Sequence, residues 1–294
     1  MKKITLVTIV ILCMSMCSHK SMVVQQIEEV EMIRVVVQPT VEINKEIIFE
    51  IFFNGMPEKG SFQMGNIDGL EVSRHNVFGM SGFSVTKKED GYSFDTSAKT
   101  TKLGKIEIPS VSAIINGVEY KSKPFSINVV DSIAVNSNSV RTVLVPNKNT
   151  YSLQDTIIVS LLKYSKFSNA REKNIPDYFD FTLYHQTEIE NIDEYPNEDL
   201  EWIDFKWGLI DELPRKMGQL DGEDYIISEV YRFYYLANKK GKYTCHPSVL
   251  EFSIHKSTTD FIEQASLNAK ESDEKIDHSY KLTVTSNPIE IIVE

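Results

Sequence analysis

The residues of this chain with the reach to do chemistry are few and badly spaced for it. Cys245 and His246 are both metal-ligand types. Two adjacent residues cannot close a tetrahedral site, and no other histidine is spaced to complete one. Gly79-Met80-Ser81-Gly82 falls short of the Gly-x-Ser-x-Gly elbow that exposes a nucleophilic serine, and no helix follows it as that elbow requires. There is no His-Glu-x-x-His, no Gly-x-x-x-x-Gly-Lys and no Gly-x-Gly-x-x-Gly. Carboxylates are common throughout, so spacing singles out no glycosidase pair. The expectation is a protein that is not an enzyme, with no catalytic residue, cofactor or metal.

Binding residues are better represented. The stretch from Thr187 to Asp204 is rich in Asp and Glu, and Trp202 and Trp207 lie at its end. It lacks the Asp-x-Asp-x-Asp-Gly spacing of a calcium loop. A solvated insertion is the plain reading of the acids, and core packing that of the tryptophans. As a recognition surface, Glu198, Asp199, Glu201, Trp202 and Trp207 form the candidate partner-binding set, with aromatic anchors beside charge. Exposed together, the two tryptophans would instead suit a sugar.

The net charge of −11 excludes a basic stripe for nucleic acid. Lys2 and Lys3 precede an apolar run, Ile4 to Leu12, too short to cross a bilayer as a helix. Met14-Ser15-Met16-Cys17 then has the form of a lipobox, although Met16 stands where a small residue is usual. Residues 1–17 are therefore expected to be a lipoprotein-type signal peptide with Cys17 as the lipidated residue and 18–30 as a tether; the alternative is a plain cleaved signal. Only Cys245 would then remain as a thiol, which leaves no disulfide framework.

Beyond residue 30 the chain is a series of short β-branched and aromatic runs separated by turn signals. Met32 to Val37 and Glu46 to Phe53 are the first two. Asp90-Gly91 and Asn116-Gly117 sit between alternating runs, the strongest short-range signal for a two-residue hairpin. One cadence occurs twice. Gly104-Lys105 leads to Pro109, and Ser122-Lys123-Pro124 opens a last alternating run; Gly241-Lys242 leads to Pro247, and Ser286-Asn287-Pro288 opens another. Proline has no N–H to give a ladder, so each closing run is expected at a sheet edge or bulge. Val143-Leu144-Val145-Pro146 and Asp155 to Leu162 likewise echo Val35 to Pro39 and Glu46 to Phe53. These echoes mark an internal duplication. The fold class is all-β: two tandem immunoglobulin-like β-sandwiches, at 31–131 and 141–294, with 132–140 as a polar linker. The second is longer through insertions near 187–225 and 254–280, the latter expected to carry a helix from Asp260 to Ala269.

In their order along the chain, these motifs resemble the BatD "oxygen tolerance" family of Bacteroidetes and related bacteria. The residues that carry the resemblance are Pro176-Asp177-Tyr178-Phe179, Leu220-Asp221-Gly222-Glu223-Asp224-Tyr225 leading into Tyr231-Arg232-Phe233, and the Gly-Lys…Pro-Ser endings, spanning about Val35 to Glu294. The resemblance implies an envelope protein that contacts von Willebrand A-type partners and is linked to aerotolerance. Family members continue into further β domains and a C-terminal transmembrane helix. Neither is found in this sequence, and lipid at Cys17 is expected to take the place of that anchor. The expected function is protein–protein interaction in the bacterial cell envelope, at the periplasmic face or outer membrane; the alternative is a surface carbohydrate-binding or adhesin lipoprotein.

Overall fold

The structure is a computed structural model that describes residues 31–72, 86–88, 91–172, 200–207, 215–245, 247–257, 260–261, 263–264 and 278–294. Its strands fall into two lobes that share no strand. In the first, Ile33–Val36 (β1), Thr40–Glu42 (β2), Glu46–Phe53 (β3), Leu70–Val72 (β4), Thr86–Lys88 (β5) and Gly91–Thr100 (β6) precede Gly104–Ile108 (β7). Ser112–Ile115 (β8), Val118–Lys121 (β9) and Phe125–Val130 (β10) complete it. One sheet runs β1-β3-β6-β4, with β5 also on β6; the other runs β2-β10-β7, and β8 pairs with β9. These are the A-B-E-D and A′-G-F sets of an immunoglobulin-type sandwich.

Period-two burial explains the sheets. In β3, Ile47, Phe49, Ile51 and Phe53 are buried and alternate with residues facing outward. They pack against Ile106, Ile108, Ile127 and Val129 of the facing sheet.

The second lobe repeats this plan. Val140–Pro146 (β11), Thr150–Tyr151 (β12), Thr156–Ser165 (β13), Asn169–Glu172 (β14), Leu200–Trp207 (β15), Lys216–Leu220 (β16) and Glu223–Ala237 (β17) lead to Gly241–Cys245 (β18). Val249–His255 (β19), Tyr280–Thr285 (β20) and Ile289–Val293 (β21) come last. The sheets are β11-β13-β17-β15 with β16 on β17, then β12-β21-β18, then β14-β19-β20. Even the parallel pairings match, β2 with β10 and β12 with β21. Tyr231, Phe233 and Tyr235 occupy one face of β17, as their alternation predicts, and join this lobe's core.

The duplication extends to single hydrogen bonds. Where β2 turns into β3, Asn44 takes a positive φ, its N–H donates to Thr100 O (3.0 Å), and Thr100 N–H donates to Lys45 O (3.1 Å). Where β12 turns into β13, Gln154 does the same with Ala237 O (2.7 Å), and Ala237 N–H donates to Asp155 O (3.1 Å). Asn116-Gly117 joins β8 to β9 with both φ positive (52° and 78°), as a type I′ turn requires. Asp221-Gly222 makes the same kind of turn from β16 to β17 (54° and 82°).

The closing strands depart from the expected edge position. β10 and β21 are the central strands of their three-stranded sheets. Pro124 and Pro288 lie in the gap just before them, so the missing N–H falls where the ladder is already interrupted. Pro109 and Pro247 lie in the facing gaps, between β7 and β8 and between β18 and β19. A serine bridges each break. Val111 N–H donates to Ser122 Oγ (3.1 Å) and Ser122 N–H to Val111 O (2.9 Å). In the second lobe Ser248 N–H donates to Ser286 Oγ (2.8 Å) and Ser286 N–H to Ser248 O (2.9 Å).

The connecting segment is not a free tether. Ile133 and Val135 pack against the second core, and β11 begins at Val140, which is fully buried. Asp260, Phe261, Glu263 and Gln264 are helical, in line with a helix starting at Asp260; the rest of that expected helix lies outside the described residues.

Ser122→Ala and Ser286→Ala each leave a buried backbone N–H without an acceptor. Each should lower unfolding stability by about 1–3 kcal/mol in urea titrations, with Ser110→Ala in the neighbouring turn as a control.

Candidate interaction site

Of the residues singled out from sequence, Cys17, Glu198 and Asp199 lie outside the described residues. Glu201, Trp202 and Trp207 belong to β15, which pairs with β17 and with no other strand among the described residues. The register sets Trp202 opposite Tyr235 and Trp207 opposite Tyr231. Residues five apart in a regular strand fall on opposite parities. The ladder slips between Trp202 and Asp204, however, and the extra residue, Ile203, returns both tryptophan positions to the same parity of β17. Ile203 itself is 49% exposed, and Asp204 and Lys206 beyond it are exposed too. β15 thus carries a bulge that presents an exposed isoleucine just before the exposed Asp204 and Lys206, and β17 is its one strand neighbour among the described residues.

The lobes meet at a polar seam that sequence reasoning did not anticipate. Gln38, 5% exposed, donates through Nε2 to Thr40 O (2.8 Å) and to Lys256 O of the second lobe (3.1 Å), while its Oε1 accepts from Ser168 N–H (3.2 Å). Lys45 Nζ donates to Asp260 Oδ1 at 2.9 Å, and Lys256 Nζ lies 3.6 Å from Glu42 Oε1. Arg215 Nε donates to Glu50 Oε2 (2.8 Å) and its Nη1 to Ser168 O (3.0 Å). Glu42 Oε1 also accepts from Ile133 N–H in the connector (2.9 Å). A cavity lined by Gln38, Glu42, Lys45, Ser168, Lys256 and Ser257 lies among these groups and has room for one water molecule.

Burial sets the electrostatics here. It pushes the Arg215 guanidinium down to about 10, which still leaves a cation for Glu50 at neutral pH. Burial also disfavours the Asp260 carboxylate, yet hydrogen bonds from Lys45 and Ser257 outweigh it and hold the group below its ordinary value of 3.8. The hydrogen bond to Asp260 raises Lys45 above its ordinary 10.5.

The second insertion therefore has a structural use. Ser257 Oγ accepts from Asp260 N–H (3.1 Å) as a helix cap does, and this fixes Asp260 against Lys45. Lys256, Ser257 and Asp260 have no counterpart in the first lobe, whose equivalent turn is the two-residue Asn116-Gly117.

A second feature was also missed. Thr142, Lys163 and Ser228 stand in register across β11, β13 and β17, all buried on the inner face of the second lobe. Lys163 Nζ lies 5.8 Å from the centre of the Phe252 ring. The hydroxyls of Thr142 and Ser228 have no hydrogen-bond partner. Cys245 is a half-buried thiol in β18, opposite Ile289 and packed on the second core. Among the described residues no cluster of His, Cys, Asp and Glu is arranged to hold a metal ion, and no helix is long and apolar enough to cross a membrane.

No family model matches the chain. No curated protein matches it by sequence. Among solved structures it is similar to the adhesin InvE of Yersinia pseudotuberculosis, at 13% identity over 87% of this chain and 58% of that one, with a TM-score of 0.20. Murine CEACAM1b aligns at 11% identity over 89% of this chain and 100% of that one (TM-score 0.20). Invasin, a bacterial integrin-binding protein, aligns at 12% identity over 75% and 36% (TM-score 0.18). The chain spans 58% of the length of InvE and 36% of that of invasin. Superpositions at these scores carry no functional argument; the sandwich assignment rests on strand order and register.

Two outcomes test the seam. Glu50→Ala leaves a largely buried guanidinium without its carboxylate and should cost about 2 kcal/mol, less than a fully buried pair because some exposure remains. Asp68→Asn, which breaks the solvent-exposed pair with Lys102, should leave the urea midpoint unchanged. The Lys45–Asp260 pair carries a definite pH signature. Asp260, depressed in the fold, contributes stability above its unfolded value of 3.8 that is lost as pH falls through the lower folded value. Lys45, raised in the fold, contributes below 10.5 and is lost as pH rises through the higher folded value. Stability measured in urea should thus differ between parent and Asp260→Asn by a constant amount at intermediate pH, and the difference should shrink in strong acid.

Proposed function

We propose that this chain is a lipid-anchored, BatD-like protein of the bacterial cell envelope that binds another protein and carries out no reaction of its own. The partner class is the von Willebrand A-type proteins, the anchor is lipid at Cys17, and the linked physiology is aerotolerance. The observation that supports this reading best is β15, which pairs with β17 alone among the described residues and exposes Ile203, Asp204 and Lys206 after an acid-rich segment. An exposed apolar side chain followed by an exposed carboxylate and ammonium suits a protein contact. The bulge at Ile203 interrupts the regular alternation of β15, so recognition proceeds through side chains rather than by adding a partner strand. The seam serves the same end by holding the second lobe firmly against the first.

A photo-crosslinking amino acid placed at Ile203 in cells, with Cys17→Ala as control, tests the reading. The expected adduct contains a protein with a von Willebrand A-type domain, and it diminishes when Cys17 is replaced and the chain no longer partitions with membranes. Adducts to polysaccharide, or no protein adduct at all, would overturn it in favour of a carbohydrate-binding or adhesin role.

A further inference from the structure

The seam joins two finished sandwiches. Among the described residues none belongs to both hydrophobic cores, although β1 of the first lobe also lies against β16 of the second. Across the junction the first lobe offers Glu42, Glu46, Glu50 and Lys45, and the second answers with Lys256, Arg215 and Asp260, with Glu263 close enough to act on Lys45. Glu42 and Glu50 meet cations, and Lys45 meets a carboxylate. The three contacts are partly buried, between 13% and 35% exposed at each side chain. Pairs in that range are attracted more strongly than surface pairs and screened less by salt, yet each still has water close by.

The connector is committed at both ends. Val130 closes β10, whereas Ile133 and Val135 already pack on the second core. Further along, Lys166 N–H donates to Ser139 O (2.9 Å) and Tyr225 Oη donates to Asn138 O (3.2 Å), which ties the connector to the second lobe. Only Asp131 and Ser132, both exposed, lie between the lobes. Glu42 Oε1 reaches across this gap to Ile133 N–H while also facing Lys256. The carboxylate that pins the pivot is therefore part of the clamp.

We propose that the seam is a releasable electrostatic latch: when its charge pairs are broken the lobes swing apart about Asp131-Ser132, and both sandwiches remain folded. Ser257 and Asp260, which have no equivalent in the first lobe, are then additions that help turn a tandem duplication into a lockable pair. Latching fixes where β15 stands relative to the first lobe; release gives it a wide arc. The latch works in this way whatever partner β15 meets.

Paired spin labels test this on the full chain. Labels go at Val118→Cys and Leu153→Cys, exposed positions in the first and second lobe, with Cys13→Ser, Cys17→Ser and Cys245→Ser as background. The latched protein should give one narrow distance distribution. Lys45→Glu combined with Glu50→Lys sets like charges against Asp260 and Arg215, and should broaden the distribution while far-ultraviolet dichroism and the fluorescence of the cores are unchanged. Adding Asp260→Lys and Arg215→Glu restores opposite charges and should narrow it again. An unchanged distribution in the reversed variant would overturn the latch. So would a compensated variant as broad as the reversed one, or broadening accompanied by loss of β dichroism, which would make the two lobes a single cooperative unit.

Discussion

Proline cannot donate to a β-ladder, and in both lobes the hairpin that closes the sandwich carries one on each arm. Pro109 faces the gap before Pro124, and Pro247 faces the gap before Pro288. The break is tolerated because Ser122 and Ser286, each two residues ahead of a proline, supply a hydroxyl acceptor and a backbone pair to the opposite strand. The rest of each lobe depends on that repair. It divides each long hairpin into an inner part, β7 with β10 or β18 with β21, and an outer part, β8 with β9 or β19 with β20. The inner part accepts the parallel strand β2 or β12; in the second lobe the outer part accepts β14.

Duplication and divergence can then be separated residue by residue. The shared elements are those that close a sandwich: the proline–serine break, the positive-φ turn at Asn44 or Gln154, and the parallel contact of the second strand with the last. The elements that differ are those that join one sandwich to another. Where the first lobe turns through Asn116-Gly117, the second extends through Ser257 and Asp260 into the seam. The insertion near 254–280, expected to carry a helix, has Ser257 and Asp260 engaged within the chain.

The features legible in sequence were those encoded within a few residues of one another. Asn116-Gly117 announces its hairpin because φ > 0 is costly for most other residues, whereas at Asp90-Gly91 the glycine already belongs to β6, paired with Lys88, and Asp90 lies outside the described residues. The alternation of Tyr231, Phe233 and Tyr235 marks a face directly, whereas Glu46 to Phe53 is apolar on both faces in places and its buried face emerges only from the register. The central position of β10 and β21 was not legible, since it depends on pairing with β2 and β12, which lie far back along the chain. Neither was the bulge at Ile203, which is decided by the register on β17 and not by any property of Glu201-Trp202-Ile203-Asp204 itself. The seam was the least accessible. Lys45 and Asp260 are separated by 215 residues, and each reads alone as an ordinary surface charge. Lys163 was hidden for a similar reason: an alternating strand that ends Leu161, Lys163, Ser165 on its inner face looks in sequence like a strand running out into solvent.

The central claim is that two self-sufficient sandwiches are held by a polar seam distinct from either core. Amide-resolved hydrogen exchange on the native chain tests it most directly. Ser168 N–H and Ile133 N–H, which donate to Gln38 and Glu42 across the seam, should exchange together at an intermediate rate. That rate should lie well above those of Ile51 and Val159 in the two cores and below those of exposed turns. Seam amides exchanging as slowly as both cores would mean a single cooperative body, and seam amides exchanging at turn rates would mean that no seam holds; either result contradicts the account.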